Sequence, residues 1–302
     1  MNYLAIDIGG TEIKFAVMDE KADFILKDRI PNMMRSVNDF LDMVESLWKQ
    51  YGENTRGIAF SMPGRIDNVT GYMYTSGNLG FLDDTDAAGL VRSRISVDVS
   101  IENDAKAAAW AEIWKGELRD IDDAVVVVIG TGIGGAIVKD GMVHRGKSHS
   151  AGEFSFIYAG DPDVPYSGRD TFAGRCGIGG FLNPIAKAKG IPSYGLDGFK
   201  VFEWLEQRDE LVLKVFDGYL RELCRQLENL QFIYDPEIIL IGGGISRQPA
   251  FLEMLRASMD RYHADHMSPM AKPKLCSCRF YNDANLVGAV YNFKQVVEGG
   301  LE

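Results

Sequence analysis

Basic residues are in short supply: 32 Lys and Arg stand against 43 Asp and Glu, a formal charge of −11. That balance leaves nucleic acid and anionic membrane surfaces without a footing, because both are held chiefly by Lys and Arg. An anionic ligand would instead need a local site built from backbone amides at glycine turns and helix starts. Long apolar runs are also missing, and none approaches the roughly 18–20 residues that a membrane-spanning helix requires. The N-terminus passes from Met1 straight into Tyr3-Leu4-Ala5-Ile6-Asp7, with no basic stretch and no cleavage site, so the chain is expected to be neither secreted nor membrane-spanning. The four cysteines, Cys176, Cys224, Cys276 and Cys278, are scattered through a chain large enough to fold without disulfides. A reducing cytoplasm fits that usage best. Cys276-Ser277-Cys278 has the look of half a metal clip, but no second clip or histidine pair lies close by.

What is present is an ordinary globular composition, 46% apolar and 25% charged, spread over 302 residues. A chain of that length exceeds what one core usually serves, so two lobes with a cleft are expected. The apolar run 3–8 and its resumption at Ile13–Met18 read as two strands joined by Gly9-Gly10-Thr11, and Phe24–Ile30 as a third. Between Ser36 and Tyr51, Val37, Phe40, Leu41, Val44, Leu47 and Trp48 recur at helical spacing, with Ser36 as a candidate cap. Gly57–Met62 and Val97–Glu102 read as buried strands, the second running into the Ala-rich helix Asp104–Lys115, which Gly116 ends. After an acidic link the pattern restarts: strand Ala124–Ile129, glycine turn, strand Ala136–Lys139. The stretch 146–180 is rich in Gly, Ser, Asp and Pro, and helices dominate beyond it, with a strand at Glu237–Ile241 and a closing helix near Asn285–Glu298. The lobes are placed at 1–116 and 117–284, with the last helix at 285–302.

Three glycine motifs and one carboxylate carry the chemistry. In Asp7-Ile8-Gly9-Gly10-Thr11-Glu12-Ile13-Lys14, paired glycines can bring backbone amides close to an anion, and the Thr11 hydroxyl and Lys14 ammonium can add donors. An ordinary hairpin turn accounts for the same letters. Gly130-Thr131-Gly132-Ile133-Gly134-Gly135 satisfies the spacing of a dinucleotide fingerprint, but that fingerprint must open a helix. Here Ala136 and the β-branched Ile137-Val138 follow, so the glycines join two strands. Gly242-Gly243-Gly244, after the buried strand Ile238–Ile241, removes three Cβ atoms in a row and would let a flat ring or a phosphate lie against the backbone. A close-packed strand-to-helix turn is the plainer reading. Asp104, in Ile101-Glu102-Asn103-Asp104-Ala105, stands where a strand delivers it to a helix start, with Asn103 beside it to serve a polyol as donor and acceptor. Either residue could equally cap the helix. Phosphoryl transfer needs phosphates and metal held in place and one base aligned with the attacking hydroxyl, and these motifs together make up those parts.

In their order along the chain the motifs resemble the ROK family of bacterial repressors, open reading frames and sugar kinases. The resemblance spans nearly the whole chain: Asp7–Thr11 as the first phosphate motif, Glu102–Ala105 as the sugar and catalytic motif, Gly130–Gly135 as the second phosphate motif, and Ile241–Gly244 as the adenosine motif. It implies an α/β, two-lobed actin-like (ribonuclease H-like, hexokinase-like) ATPase fold with mixed sheets flanked by helices. It also implies an ATP- and Mg2+-dependent sugar kinase that forms a homodimer. By the same resemblance Asp104 is the general base and Asp7 lies near magnesium. Gly9, Gly10, Thr11, Lys14, Thr131, Gly132, Gly134 and Gly135 would serve the phosphates, and Gly242, Gly243 and Gly244 the adenosine. Gly64, Asn78, Asn103 and Glu153 would serve the sugar.

The departures are informative. Zinc-bearing members carry a histidine three residues after the glutamate and a Cys-x-Cys-Gly-x-x-Gly-Cys-x-Glu segment, and the matching positions here are Phe156, Gly174, Cys176, Phe181 and Asn183. Only Cys176 remains of four ligands, so no structural zinc is expected. Ala151-Gly152-Glu153-Phe154 and the Gly288–Phe293 segment are most similar to the β-glucoside kinases of the family. Transfer to the 6-hydroxyl of a glucose unit, as in cellobiose, is the expectation, with a broad glucokinase as the alternative. The family's repressors place a helix-turn-helix domain ahead of the first phosphate motif, whereas six residues precede Asp7 in this acidic chain, which argues against a regulator. A catalytically silent sugar-binding protein is the other rival, against which Asp104 stands.

Overall fold

The computed structural model describes residues 1–160, 167–266 and 269–299; part of the irregular stretch and positions 300–302 of the expected closing helix lie outside these. The chain forms two compact units, one of residues 1–120, 142–151 and 282–302, the other of residues 121–141 and 152–281.

In the first unit, strands β1 (Asn2–Ile8), β2 (Glu12–Asp19) and β3 (Phe24–Pro31) form an antiparallel meander. Helix α1 (Val37–Tyr51) follows; Ser36 caps it by accepting from the Asp39 amide, and Phe40, Leu41, Val44 and Leu47 form its buried face. Strand β4 (Thr55–Met62) then pairs parallel to β1. Three short strands, β5 (Ile66–Asp67), β6 (Tyr72–Met73) and β7 (Thr85–Asp86), make a small separate sheet ahead of helix α2 (Ala87–Ile95). Strand β8 (Val99–Asn103) pairs parallel to β4 and completes the order β3-β2-β1-β4-β8. It runs without a break into helix α3 (Asp104–Lys115). Along the parallel pairs Asp7 stands opposite Ser61 and Ser61 opposite Glu102, so polar residues gather at the carboxyl ends of three adjacent strands. That is where open α/β sheets take their ligands.

The second unit repeats the plan. Strands β9 (Ala124–Ile129) and β10 (Ile133–Lys139) form a hairpin, and β12 (Ile238–Gly242) pairs parallel to β9 and β13 (Leu275–Ser277) parallel to β12. The short strand β11 (Met142–His144) and the residues to Ala151 group with the first unit, a division of residues 117–284 that the sequence pattern did not mark. Helices α4 (Phe172–Cys176), α5 (Gly179–Lys189), α6 (Gly198–Glu206) and α7 (Glu210–Tyr234) precede β12, and α8 (Pro249–Asp265) follows it. Their apolar faces close one core with the sheet, from Val125 and Ile129 to Phe216, Leu223 and Phe251. The last helix, α9 (Ala284–Val296), lies against α3, β1, β4 and β8 of the first unit. Gly288 permits this approach, since a Cβ there would stand 1.6 Å from the Ala107 carbonyl oxygen.

Candidate active site

Asp7, at the end of β1, is 6% exposed. Its Oδ1 accepts hydrogen bonds from Ser61 Oγ at 2.9 Å and Asn285 Nδ2 at 3.0 Å, and Lys14 Nζ lies 3.9 Å from Oδ2. Burial is the largest influence on this carboxyl and raises its pKa above 3.8, while the Asn285 hydrogen bond, Lys14 and Ser61 oppose that shift. Sequence reasoning found Asp7 and missed Ser61 and Asn285, which carry no local signal of pairing with it.

The β1–β2 turn holds Gly9, Gly10 and Thr11. Asn32 clamps it, donating from Nδ2 to the Gly9 carbonyl at 2.7 Å and from its backbone amide to the Thr11 carbonyl at 2.9 Å. A Cβ on Gly10 would lie 3.0 Å from Asn78 Nδ2, so two residues singled out from separate motifs meet here.

At the β8–α3 corner, Asn103 is the helix cap: its Oδ1 accepts from the Ala105 and Lys106 amides at 3.0 and 3.1 Å. Its Nδ2 donates to the Gly64 carbonyl at 2.9 Å. Gly64 has φ +112°, and a Cβ would reach 2.0 Å from the Thr75 carbonyl oxygen, so only glycine can present that carbonyl here. Capping, the plainer role for Asn103, is therefore what its oxygen does. Asp104 occupies the first helical position, with Oδ1 accepting from the Ala105 amide at 2.8 Å. An ionised carboxylate is favoured at that end of a helix.

In the second unit, the β9–β10 turn closes through the Gly130 amide to the Gly132 carbonyl at 3.0 Å and exposes Thr131 at its tip. The Gly130 carbonyl in turn accepts from the Ile178 amide at 2.9 Å, which ties the turn to the α4–α5 corner. Gly134 and Gly135 lie past the turn, within β10. A Cβ on Gly135 would fall 2.1 Å from the Phe154 ring, so this glycine makes room for an aromatic side chain. Gly242 ends β12, and Gly243, at φ +89°, would put a Cβ 2.1 Å from the Ile129 carbonyl oxygen. The triple glycine thus abuts the strand end that leads into Gly130. Nothing lies within 4 Å of a Cβ placed on Gly244, which leaves an open backbone surface.

Glu153 is partly buried and precedes a short 3-10 turn, 154–156. The two phenylalanines at positions where the resemblance puts zinc ligands behave differently. Phe181 is 1% exposed and meets Phe216 and Tyr219 edge-on at 5.4 and 5.1 Å, and the Tyr219 hydroxyl donates to the Cys176 carbonyl at 2.9 Å. Phe156 is 75% exposed, and Tyr158, two residues on, is 41% exposed. Among the described residues no three His, Cys, Asp or Glu side chains gather as metal ligands, and no helix is long and apolar enough to cross a membrane.

The ROK family model matches residues 3–296. A β-glucoside kinase from Listeria innocua is 30% identical over 296 residues, covering 98% of each chain. A ROK family protein from Streptococcus pneumoniae in complex with sucrose superposes with a TM-score of 0.88 at 26% identity, over 99% of this chain and 100% of the other. A ROK family glucokinase from Streptomyces griseus, in complex with glucose and AMPPNP, shares the fold with a TM-score of 0.83 at 21% identity, over 99% and 100% of the two chains.

Proposed function

This chain belongs to the ROK family and is a sugar kinase, and from that premise we propose that it transfers the γ-phosphoryl group of ATP to the 6-hydroxyl of a glucose unit, preferentially in a β-glucoside such as cellobiose. Asp104 is the general base: it takes the proton as the sugar oxygen attacks the γ-phosphorus and ADP leaves. Asn78, Asn103, the Gly64 carbonyl and Glu153 orient the sugar, Asn103 through whatever its capping duty leaves over. The Gly9–Thr11 and Gly130–Gly132 turns and Lys14 serve the phosphates, with Gly134 and Gly135 shaping the strand beneath, and Gly242–Gly244 take the adenosine. A single carboxylate suits Mg2+, which keeps most of its waters and shares the phosphates, and Asp7 offers one: Ser61 and Asn285 hold its Oδ1, while Lys14 stands 3.9 Å from Oδ2. Bound there, the ion would neutralise charge on the phosphates.

The observation that carries the choice of acceptor is the contrast between Phe156 and Phe181. If both merely filled space, both would be buried. Phe181 does fill a core position at 1% exposure, whereas Phe156, three residues after Glu153, offers its ring to solvent at 75%. An exposed ring close to a sugar-orienting glutamate is a surface on which a second sugar ring could stack. The name of the Listeria relative points the same way, and the streptococcal protein in complex with sucrose is a relative that takes a second sugar ring, there on an α-linkage.

The test is a coupled ADP-release assay on glucose, cellobiose and aryl β-glucosides. kcat/KM for cellobiose should at least equal that for glucose. Phe156→Ala should lower the cellobiose value by roughly 2–13-fold, the range expected of an aromatic contact, and leave glucose unchanged. Efficient use of glucose with no turnover of any β-glucoside would make the enzyme a glucokinase.

A further inference from the structure

Glu102 lies on β8 immediately before Asn103 and Asp104 and is 0% exposed. A carboxylate sealed from water is costly unless each oxygen finds donors. Here each finds two. Oε1 accepts from the Asn103 backbone amide at 2.8 Å and Arg145 Nη1 at 3.0 Å, and Oε2 accepts from Trp110 Nε1 at 2.9 Å and Arg145 Nη2 at 2.5 Å. Arg145 therefore grips Glu102 with both arms of its fork, a geometry that fixes direction as well as distance. It comes from the segment after β11, which touches this corner again where Arg65, next to Gly64, donates to the Ser148 carbonyl at 3.3 Å. Tyr74 stacks on His149 of the same segment, with ring centroids 5.7 Å apart.

A well-packed apolar pair would serve stability as well as a buried ion pair. What it would not supply is orientation. Through Glu102 the fork holds the amide of Asn103, which caps α3, and the indole of Trp110 further along that helix; Asp104 is the first residue of α3. We propose that Arg145 is a positioning residue for Asp104, acting through Glu102 to set the angle at which β8 hands the base to the sugar. The proposal rests on the reading of Asp104 as base. In this role Arg145 acts through Glu102, whose two carboxylate oxygens take both arms of its fork.

The experiment compares Arg145→Met, Arg145→Lys and the double variant Glu102→Gln/Arg145→Met with wild type. It measures kcat and KM on the best acceptor found, and amide hydrogen exchange at Asn103, Ala105 and Lys106, with β12 as internal control. Arg145→Met should lower kcat at least tenfold with KM for ATP within threefold, and speed exchange at the corner at least tenfold while β12 is unchanged. Arg145→Lys, which keeps the charge and loses the fork, should fall between. The double variant, which no longer strands a buried charge, should regain at least threefold of the lost kcat and serves in place of Arg145→Met if that protein does not fold. Corner exchange unchanged in Arg145→Met, or kcat within threefold of wild type despite lowered stability, would overturn the proposal. If no sugar is turned over by wild type, the reading of Asp104 fails, and exchange at the corner still decides whether Arg145 positions it.

Discussion

Asn285 donates a hydrogen bond to the Asp7 carboxylate at 3.0 Å, joining residues 278 positions apart. The last helix thus touches the end of the first strand at a carboxylate proposed to face magnesium. The protein holds this charge in a place that disfavours it, because burial is the largest influence on Asp7 and raises its pKa.

A stability consequence follows from the sign of that shift. With the folded value raised above 3.8, the folded chain binds the proton more tightly than the unfolded chain. Whatever Asp7 contributes to stability is therefore fully present below the unfolded value and is lost as pH rises through the folded one. In metal-free buffer, Asp7→Asn should melt no lower than wild type at neutral pH, with an advantage that grows as pH rises and then levels, while kinase activity is lost. Thermal melts across pH in the presence of chelator check this. A wild-type advantage over Asp7→Asn that grows as pH rises would show that the ionised carboxylate is favoured by its partners after all.

Asp104→Asn separates the base from the cap. The cap is Asn103, so this substitution should leave nucleotide binding unchanged and lower stability by no more than about 1 kcal/mol, the usual worth of a carboxylate in the first turn of a helix. kcat should fall by about 10²–10⁴, the usual worth of a positioned base. Activity within about fivefold of wild type would assign Asp104 to the helix and not to the reaction.

Gly288→Ala tests the contact that brings α9 into place. A Cβ at 1.6 Å from the Ala107 carbonyl oxygen forces α9 off α3, at a cost of about 1–3 kcal/mol or more by urea unfolding. Because Asn285 rides on the same helix, the KM for Mg-ATP should rise in the same variant. A variant as stable as wild type with unchanged kinetics would mean that α9 shifts without disturbing Asp7.

The sequence by itself determined the elements and the order of the motifs. The Ser36 cap, the two glycine hairpins and the passage from β8 into α3 at Asp104 are set by turn residues and side-chain periods that act within a few positions. Only the tertiary structure decided the pairings. Asn285 with Asp7, and Arg145 with Glu102, lie far apart in the chain, and nothing local marks either partner. Asn103 and Asp104 were equally good caps on local grounds, and the geometry of the corner gave the cap to Asn103 by lending its amide nitrogen to Gly64. Gly135 read as part of a phosphate loop, yet its missing side chain is filled by Phe154. Phe156 and Phe181 are the same letter in the same departure from the zinc-bearing pattern, and one is exposed while the other is core. Burial is the sum of contacts from elements remote in sequence, such as α7 behind Phe181, and that sum exists only once the chain has folded.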